Sequence, residues 1–150
     1  MPDTADTGGY GEKYLIFSVL GQMYGFPARI VGEIAMFDAV YPLPLVPPCV
    51  LGIINRYSIP YALFDIGLLL FDSPSSRGKV LVLKDSVERI AFLIDDINGI
   101  AEVPEEELMV MEKDSERSDG AETISASFRW NDGEVFVLDV GSILAPLVAD

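Results

Sequence analysis

The sequence predicts a mainly β protein made of two similar lobes, and three observations carry that expectation. The first is an internal repeat: residues 13–34 (KYLIFSVLGQMYGFPARIVGEI) lie over residues 79–100 (KVLVLKDSVERIAFLIDDINGI) without a gap, setting Lys13 on Lys79, Phe26 on Phe92 and Ile34 on Ile100. Farther on, and in the same order, Tyr61–Leu70 matches Val135–Leu144, with Asp65 on Asp139 and Gly67 on Gly141. So long a repeat exceeds the periods of about 20–50 residues typical of solenoids, and it reads as two lobes with a groove between them. The second observation is that both copies open with a β-hairpin. The third is the frequency of turn signals between short β-rich runs, which implies barrels.

Each element follows from alternation and breakers. Tyr14–Leu20 and Met23–Phe26 flank the polar pair Gly21-Gln22, a hairpin signal. Residues 79–84 and 90–94 repeat it around a longer loop, Asp85–Arg89. After each hairpin comes a spaced apolar set, Ile30, Val31 and Ile34 in one copy and Ile97, Ile100 and Val103 in the other, read as short strands at a lobe edge. Tyr41–Pro48 holds four prolines, which neither continue a helix nor donate to a ladder, so it is an extended, exposed connection crossing between lobes. Val50–Asn55 and Tyr61–Ile66 form the next strand pair, and Ile66–Phe71 a short helical turn. Residues 72–78 (DSPSSRG) are a linker by composition, and Glu112–Thr123 is a charged loop without apolar periodicity. Ser125–Trp130 and Glu134–Val140 flank Asn131-Asp132-Gly133, whose Asp-Gly pair suits a tight turn.

Composition narrows the function. Half the 150 residues are hydrophobic, enough for a folded core, while the net charge is −14 with only ten basic residues. That balance argues against nucleic acid and anionic membrane surfaces and favours protein partners. The apolar runs are too short to span a bilayer, the acidic start is no signal peptide, and the cytoplasm is the expected compartment.

Little in the chain points to catalysis, and no catalytic residue, metal site or cofactor is assigned. Without histidine, Ser-His-Asp and Cys-His arrangements and imidazole metal ligands are impossible. No dinucleotide or phosphate-loop fingerprint occurs. Asp95 and Asp96 are adjacent on a strand and point to opposite faces, so they read as a strand end meeting water rather than a carboxylate dyad. Cys49, the single cysteine, has no nearby base and reads as a small buried hydrophobe. Glu105–Glu107 lacks the spacing of a calcium loop and reads as a solvated turn. The duplicated Asp65 and Asp139 read as helix caps.

An ordered series of residues resembles the CheW family of bacterial chemotaxis coupling proteins over residues 13–147. A hairpin YLIFSVLGQMYGF leads to Val31–Ile34 (V-x-E-I), the proline-rich YPLPLVPP, Gly52–Asn55 (G-x-x-N) and Asp65-Ile66; FLIDDINGIAEVPEEEL and a final hairpin ending VLDVGSIL follow. The resemblance implies two five-stranded SH3-like β-barrel lobes in one CheW-like domain spanning 11–147. Its sequence halves are about 11–72 and 77–147, a strand is free to cross between lobes, and 1–10 is a flexible N-terminus. It further implies a non-enzymatic adaptor between the regulatory domain of a CheA-type histidine kinase and the cytoplasmic tips of chemoreceptors. Ile30, Val31, Ile34, Ile97 and Ile100 are the candidates for a receptor-binding groove, because Val31 resembles the family's receptor-contact valine and the others lie beside it or in the matching repeat. Asn55, Arg56, Tyr57 and Ser58 stand where the family's kinase-docking N-L-R-G is expected. Only Asn55 is retained there: tyrosine replaces the arginine and serine the glycine, with Arg56 on the opposite strand face as a substitute cation. That departure keeps open a divergent scaffold for a related chemosensory or pilus-motility pathway. A small-molecule-binding barrel would need convergent polar groups in a pocket, which the sequence does not display.

Overall fold

The computed structural model describes residues 11–76, 78–84, 89–110 and 123–148. The tail expected at 1–10, most of the loop expected at Asp85–Arg89, and the charged loop up to residue 122 lie outside the described residues.

The chain order is β1 (Glu12–Val19), β2 (Gln22–Pro27), a 3-10 turn (Ala28–Ile30), β3 (Val31–Met36), β4 (Val50–Arg56), β5 (Ile59–Asp65) and α1 (Ile66–Phe71). The second half runs β6 (Lys79–Leu83), β7 (Ile90–Ile94), β8 (Asp96–Val103), a 3-10 turn (Glu105–Glu107), β9 (Met109–Val110), β10 (Ile124–Trp130), β11 (Gly133–Leu138) and α2 (Val140–Val148). Neither helix among the described residues is long and apolar enough to cross a membrane.

Two sheets form, of six strands in the order β9-β10-β11-β2-β1-β8 and of five in the order β3-β6-β7-β5-β4. Read from its other end, the five-stranded sheet is β4-β5-β7-β6-β3, which matches β10-β11-β2-β1-β8 strand for strand under the sequence repeat. Each sheet therefore takes a hairpin from one half of the chain and its third strand and last hairpin from the other half. Both sheets join these pieces by a parallel contact in the same register: Phe136 opposes Tyr24 and Val137 opposes Gly25 in one, Ala62 opposes Ile90 and Leu63 opposes Ala91 in the other. The chain divides into two compact units, Met1–Ile16 with Met23–Ala28 and Asn98–Asp150, and Phe17–Gln22 with Arg29–Ile97, called here the first and second.

Burial follows position in the sheet. β6 and β7, second and third in theirs, are buried without interruption over Val80–Leu83 and Ala91–Ile94, and β1 is continuously buried over Tyr14–Phe17, so these strands are covered on both faces. β3 and β8, at sheet edges, alternate residue by residue between inward and outward positions. The core of the first unit gathers Tyr14, Ile16, Phe128, Val135 and Val137; that of the second gathers their repeat partners Val80, Val82, Ile54, Tyr61 and Leu63. The first core holds two large rings, Tyr14 and Phe128, whose centroids lie 5.4 Å apart, where the second has Val80 and Ile54; the second holds Tyr61 where the first has Val135. Both cores thus fill around the same strand positions with different side chains.

The expectation of two closed five-stranded barrels is corrected here, because neither sheet closes and one has six strands. Closure requires the two terminal strands to pair. In the five-stranded sheet the outer edge of β4 is already taken at Ile53, whose N–H and C=O bond the C=O and N–H of Tyr41 at 2.8 Å each. In the six-stranded sheet β9 occupies the edge of β10 that a closing strand would need. The connection Tyr41–Pro48 is exposed, but it joins β3 to β4 within the second unit rather than crossing between units. The tight turns also shift by one residue: positive φ falls on Leu20 and Gly21, and on Asn131 and Asp132 rather than on the Asp-Gly pair.

Candidate partner-binding surfaces

The β4–β5 hairpin places the residues assigned to kinase docking at its tip. Arg56 opposes Ile59, leaving Tyr57 and Ser58 as a two-residue turn. Their φ values, 54° and 66°, are those of a type I′ turn, whose backbone twist suits a hairpin but is normally supplied by Asn, Asp or Gly. Tyrosine and serine in the left-handed region cost about 1 kcal/mol each. The Tyr57 ring is 83 % exposed, so burial does not offset that cost.

Arg56 does not stand free as a substitute cation. Its Nε donates to Oε1 of Glu33 on β3 at 3.2 Å and its Nη2 donates to Oε2, a two-point pairing of guanidinium with carboxylate. The hydrogen bond to Glu33 raises the guanidinium pKa still further. The guanidinium carbon also lies 5.6 Å from the centroid of the Tyr57 ring, within cation–π range. Glu33 and Arg56 sit on the two terminal strands of the open sheet, so a side-chain clasp spans the gap that no backbone ladder closes. Arg56 borders two hollows at this gap. One is a cleft of about 370 Å³ lined by Glu33, Tyr57, Tyr61 and Lys84 among others, and the other a smaller cavity of about 60 Å³ against Phe37, Ile54 and Val80. Sequence reasoning missed Glu33.

The five aliphatic receptor candidates are distributed in two matching sets. Ile30 ends the 3-10 turn; Val31 and Ile34 lie on β3; Ile97 and Ile100 lie on β8, with Ile100 in the first unit and the other four in the second. Val31 and its repeat partner Ile97 are half-buried, whereas Ile34 and Ile100 are exposed. Along β3 the inward positions are Val31, Glu33 and Ala35 and the outward ones Gly32, Ile34 and Met36, so Val31 and Ile34 do not share a face.

Four aspartates and Cys49, singled out in the sequence, serve the fold. Asp65 caps α1, accepting from Gly67 N at 2.8 Å and Leu68 N at 3.4 Å, and it also accepts from Ser75 N at 3.1 Å and Ser75 Oγ at 2.6 Å. Asp139 caps α2 through Ser142 N at 3.0 Å and Ser142 Oγ at 2.7 Å. Asp95 is more than a strand end: it accepts from Leu20 N at 2.7 Å and from Ser76 N at 2.6 Å, tying a hairpin turn to the linker. Asp96 pairs with Lys79 at 2.9 Å, and that bond holds its carboxyl below the ordinary value. Cys49 is buried, which pushes its thiol pKa up. Among the described residues no group of three or more metal-ligating side chains comes together.

Comparison with known proteins agrees with this architecture. The family model described as the CheW-like domain matches residues 13–147. The crystal structure of the scaffolding protein TtCheW from Thermoanaerobacter tengcongensis superposes with a TM-score of 0.73 at 14 % identity, covering 86 % of this chain and 89 % of that one, a likeness of fold. No curated protein sequence matches significantly. The family is non-enzymatic, acts as an adaptor in chemotaxis signalling, and generally binds CheA and chemoreceptors. With a family model covering nearly its whole length, this chain belongs to the CheW-like domain family of chemotaxis adaptors.

Proposed function

We propose that this protein links the cytoplasmic tips of chemoreceptors to a CheA-type histidine kinase in the cytoplasm, with the Asn55–Ser58 turn meeting the kinase's regulatory domain. The family match over residues 13–147 carries this reading. The geometry of the turn adds to it, because a strained backbone that displays an exposed aromatic ring beside an ion-paired guanidinium is poorly explained by stability alone. On the receptor side the candidates are Ile30, Val31, Ile34, Ile97 and Ile100, of which Ile34 and Ile100 have apolar side chains open to a helical partner. The test is titration of a regulatory domain and of a receptor tip, separately. Ile34→Glu weakens receptor-tip binding and leaves the circular dichroism spectrum and Tm in place; an unchanged receptor affinity removes Ile34 from the surface.

A second reading, a scaffold specialised for a related chemosensory or pilus-motility pathway, is favoured by one observation: Tyr57 and Ser58 stand where the family has arginine and glycine. Under the first reading Tyr57→Arg with Ser58→Gly strengthens binding to a CheA-type regulatory domain by about one to two decades, the worth of a charge-assisted hydrogen bond. Equal or weaker binding by the double variant favours the specialised scaffold.

A further inference from the structure

The larger cleft at the gap between β3 and β4 combines an apolar lining with charge. Tyr61, Val82 and Leu83, all buried, form part of its wall, and Glu33, Arg56 and Lys84 supply the charges. A bulge sets Lys84 there. Val31 opposes Leu83 and Glu33 opposes Val82, so Gly32 is the extra residue of β3 against β6. A Cβ on Gly32 would lie 3.3 Å from the backbone N and Cα of Lys84, and Lys84 N donates to Ile30 O at 2.9 Å. Bare backbone at the bulge thus lets the residue that follows β6 pack directly against β3.

The charge of Lys84 has no use within the fold. Arg56 commits Nε and Nη2 to Glu33, whereas Lys84 is exposed and meets no carboxylate among the described residues. Two cations against one carboxylate leave the cleft one positive charge, in a chain whose net charge is −14. The scaffold does not require that charge: the repeat partners of Glu33, Arg56, Tyr57 and Lys84 are Gly99, Trp130, Asn131 and Ser18, none of them charged. A surplus cation beside buried apolar side chains suits a carboxylate on a short methylene stem, because the stem packs on the wall and the poorly polarisable surroundings strengthen the attraction. Arg56 and Tyr57 border the cleft and also form the hairpin end assigned to the kinase, so the acid and the turn's partner coincide.

We propose that Lys84 is the contact for an acidic side chain, glutamate or aspartate, of the same kinase regulatory domain that meets the Tyr57 turn. The inference rests on the proposed function, and its test separates the two. A regulatory domain and a receptor tip are each titrated into the full chain carrying the natural Lys84, Lys84→Gln, Lys84→Arg or Lys84→Glu, at about 50 and about 500 mM salt. Lys84 is exposed and its bond to Ile30 is a backbone one, so every variant keeps its fold and Tm. At low salt Lys84→Gln weakens regulatory-domain binding by about fivefold, Lys84→Glu weakens it further, Lys84→Arg stays within about threefold, and the differences shrink at high salt. Receptor-tip binding is unchanged throughout, and replacing one surface acid of the regulatory domain with lysine restores its binding to Lys84→Glu. If the natural chain binds the regulatory domain and Lys84→Gln binds it equally well, the contact is overturned while the proposed function stands. A loss toward the receptor tip alone overturns it by giving the acid to the receptor, and equal losses toward both partners overturn it by showing a general charge effect. No binding of the regulatory domain by the natural chain overturns the proposed function and the contact with it.

Discussion

The two units share strand order, register and core positions, yet they differ where their curled sheets bring distant strands together. In the second unit Glu33 on β3 meets Arg56 on β4 through an ion pair. In the first, the repeat partners of those residues are Gly99 and Trp130, and the indole packs so closely that a Cβ on Gly99 would meet its ring carbons at 3.0 Å. One unit thus fills the contact with an aromatic ring on a bare backbone, the other with two charges about one-third open to water. The adjoining turns differ in the same sense. Asn131 and Asp132 adopt φ of 48° and 62°, nearly the angles of Tyr57 and Ser58, with residue types that tolerate them. A duplicated scaffold can keep one copy locally consistent and let the other retain strain and exposure.

The largest expected difference lies in the caps. Asp65 and Asp139 occupy equivalent positions, but Asp65 is buried and serves Ser75 as well as α1, whereas Asp139 is exposed. Asp65→Ala strands several buried donors and costs about 3 kcal/mol; Asp139→Ala loses a single exposed cap and costs about 1 kcal/mol. Denaturant titration of both variants checks the ratio, and equal losses would remove the asymmetry.

Trp130→Ala opens space beside the first core and costs about 2 kcal/mol, while Glu33→Gln, which weakens a half-exposed ion pair, costs under about 1 kcal/mol. Thermal melts rank the two, and a larger loss at Glu33 would make the clasp a structural necessity of the second unit. A third contrast is in pH. Burial pushes Tyr24 up to about 12, whereas its repeat partner is Ile90. Because the folded value lies above the ordinary value of 10.0, the associated stability is intact below pH 10 and is lost as pH rises toward about 12, by about 2 kcal/mol. Tyr24→Phe flattens that alkaline limb of the stability curve, as measured by urea midpoints across the range.

Much of this was legible in the sequence because it is local. Alternation and turn residues marked the hairpins, and the gapless overlay of 13–34 on 79–100 carried the equivalence of β1–β3 with β6–β8. Asp65 and Asp139 were recognisable as caps because each precedes a matching Ile/Val-Gly. What escaped depends on sheet curvature and edges. Whether a sheet closes is decided by what already occupies its terminal strands, here Tyr41 on β4 and the two residues of β9 on β10, and neither pairing has a local signal. Glu33 and Arg56 lie 23 positions apart and meet only because the open sheet curls. The turn at Asn131-Asp132 was placed one residue late, since the closing pair Trp130–Gly133 fixes the register and leaves glycine in the strand.

The central claim is that the strained turn of the second unit, and not its relaxed counterpart in the first, meets the kinase. Calorimetric titration of a CheA-type regulatory domain into the natural chain, Tyr57→Ala and Asn131→Ala tests it most directly, since the two substitutions occupy equivalent turns of similar backbone. The account predicts affinity about tenfold weaker for Tyr57→Ala and unchanged for Asn131→Ala. Equal affinities for all three proteins, or a loss at Asn131 alone, would contradict it.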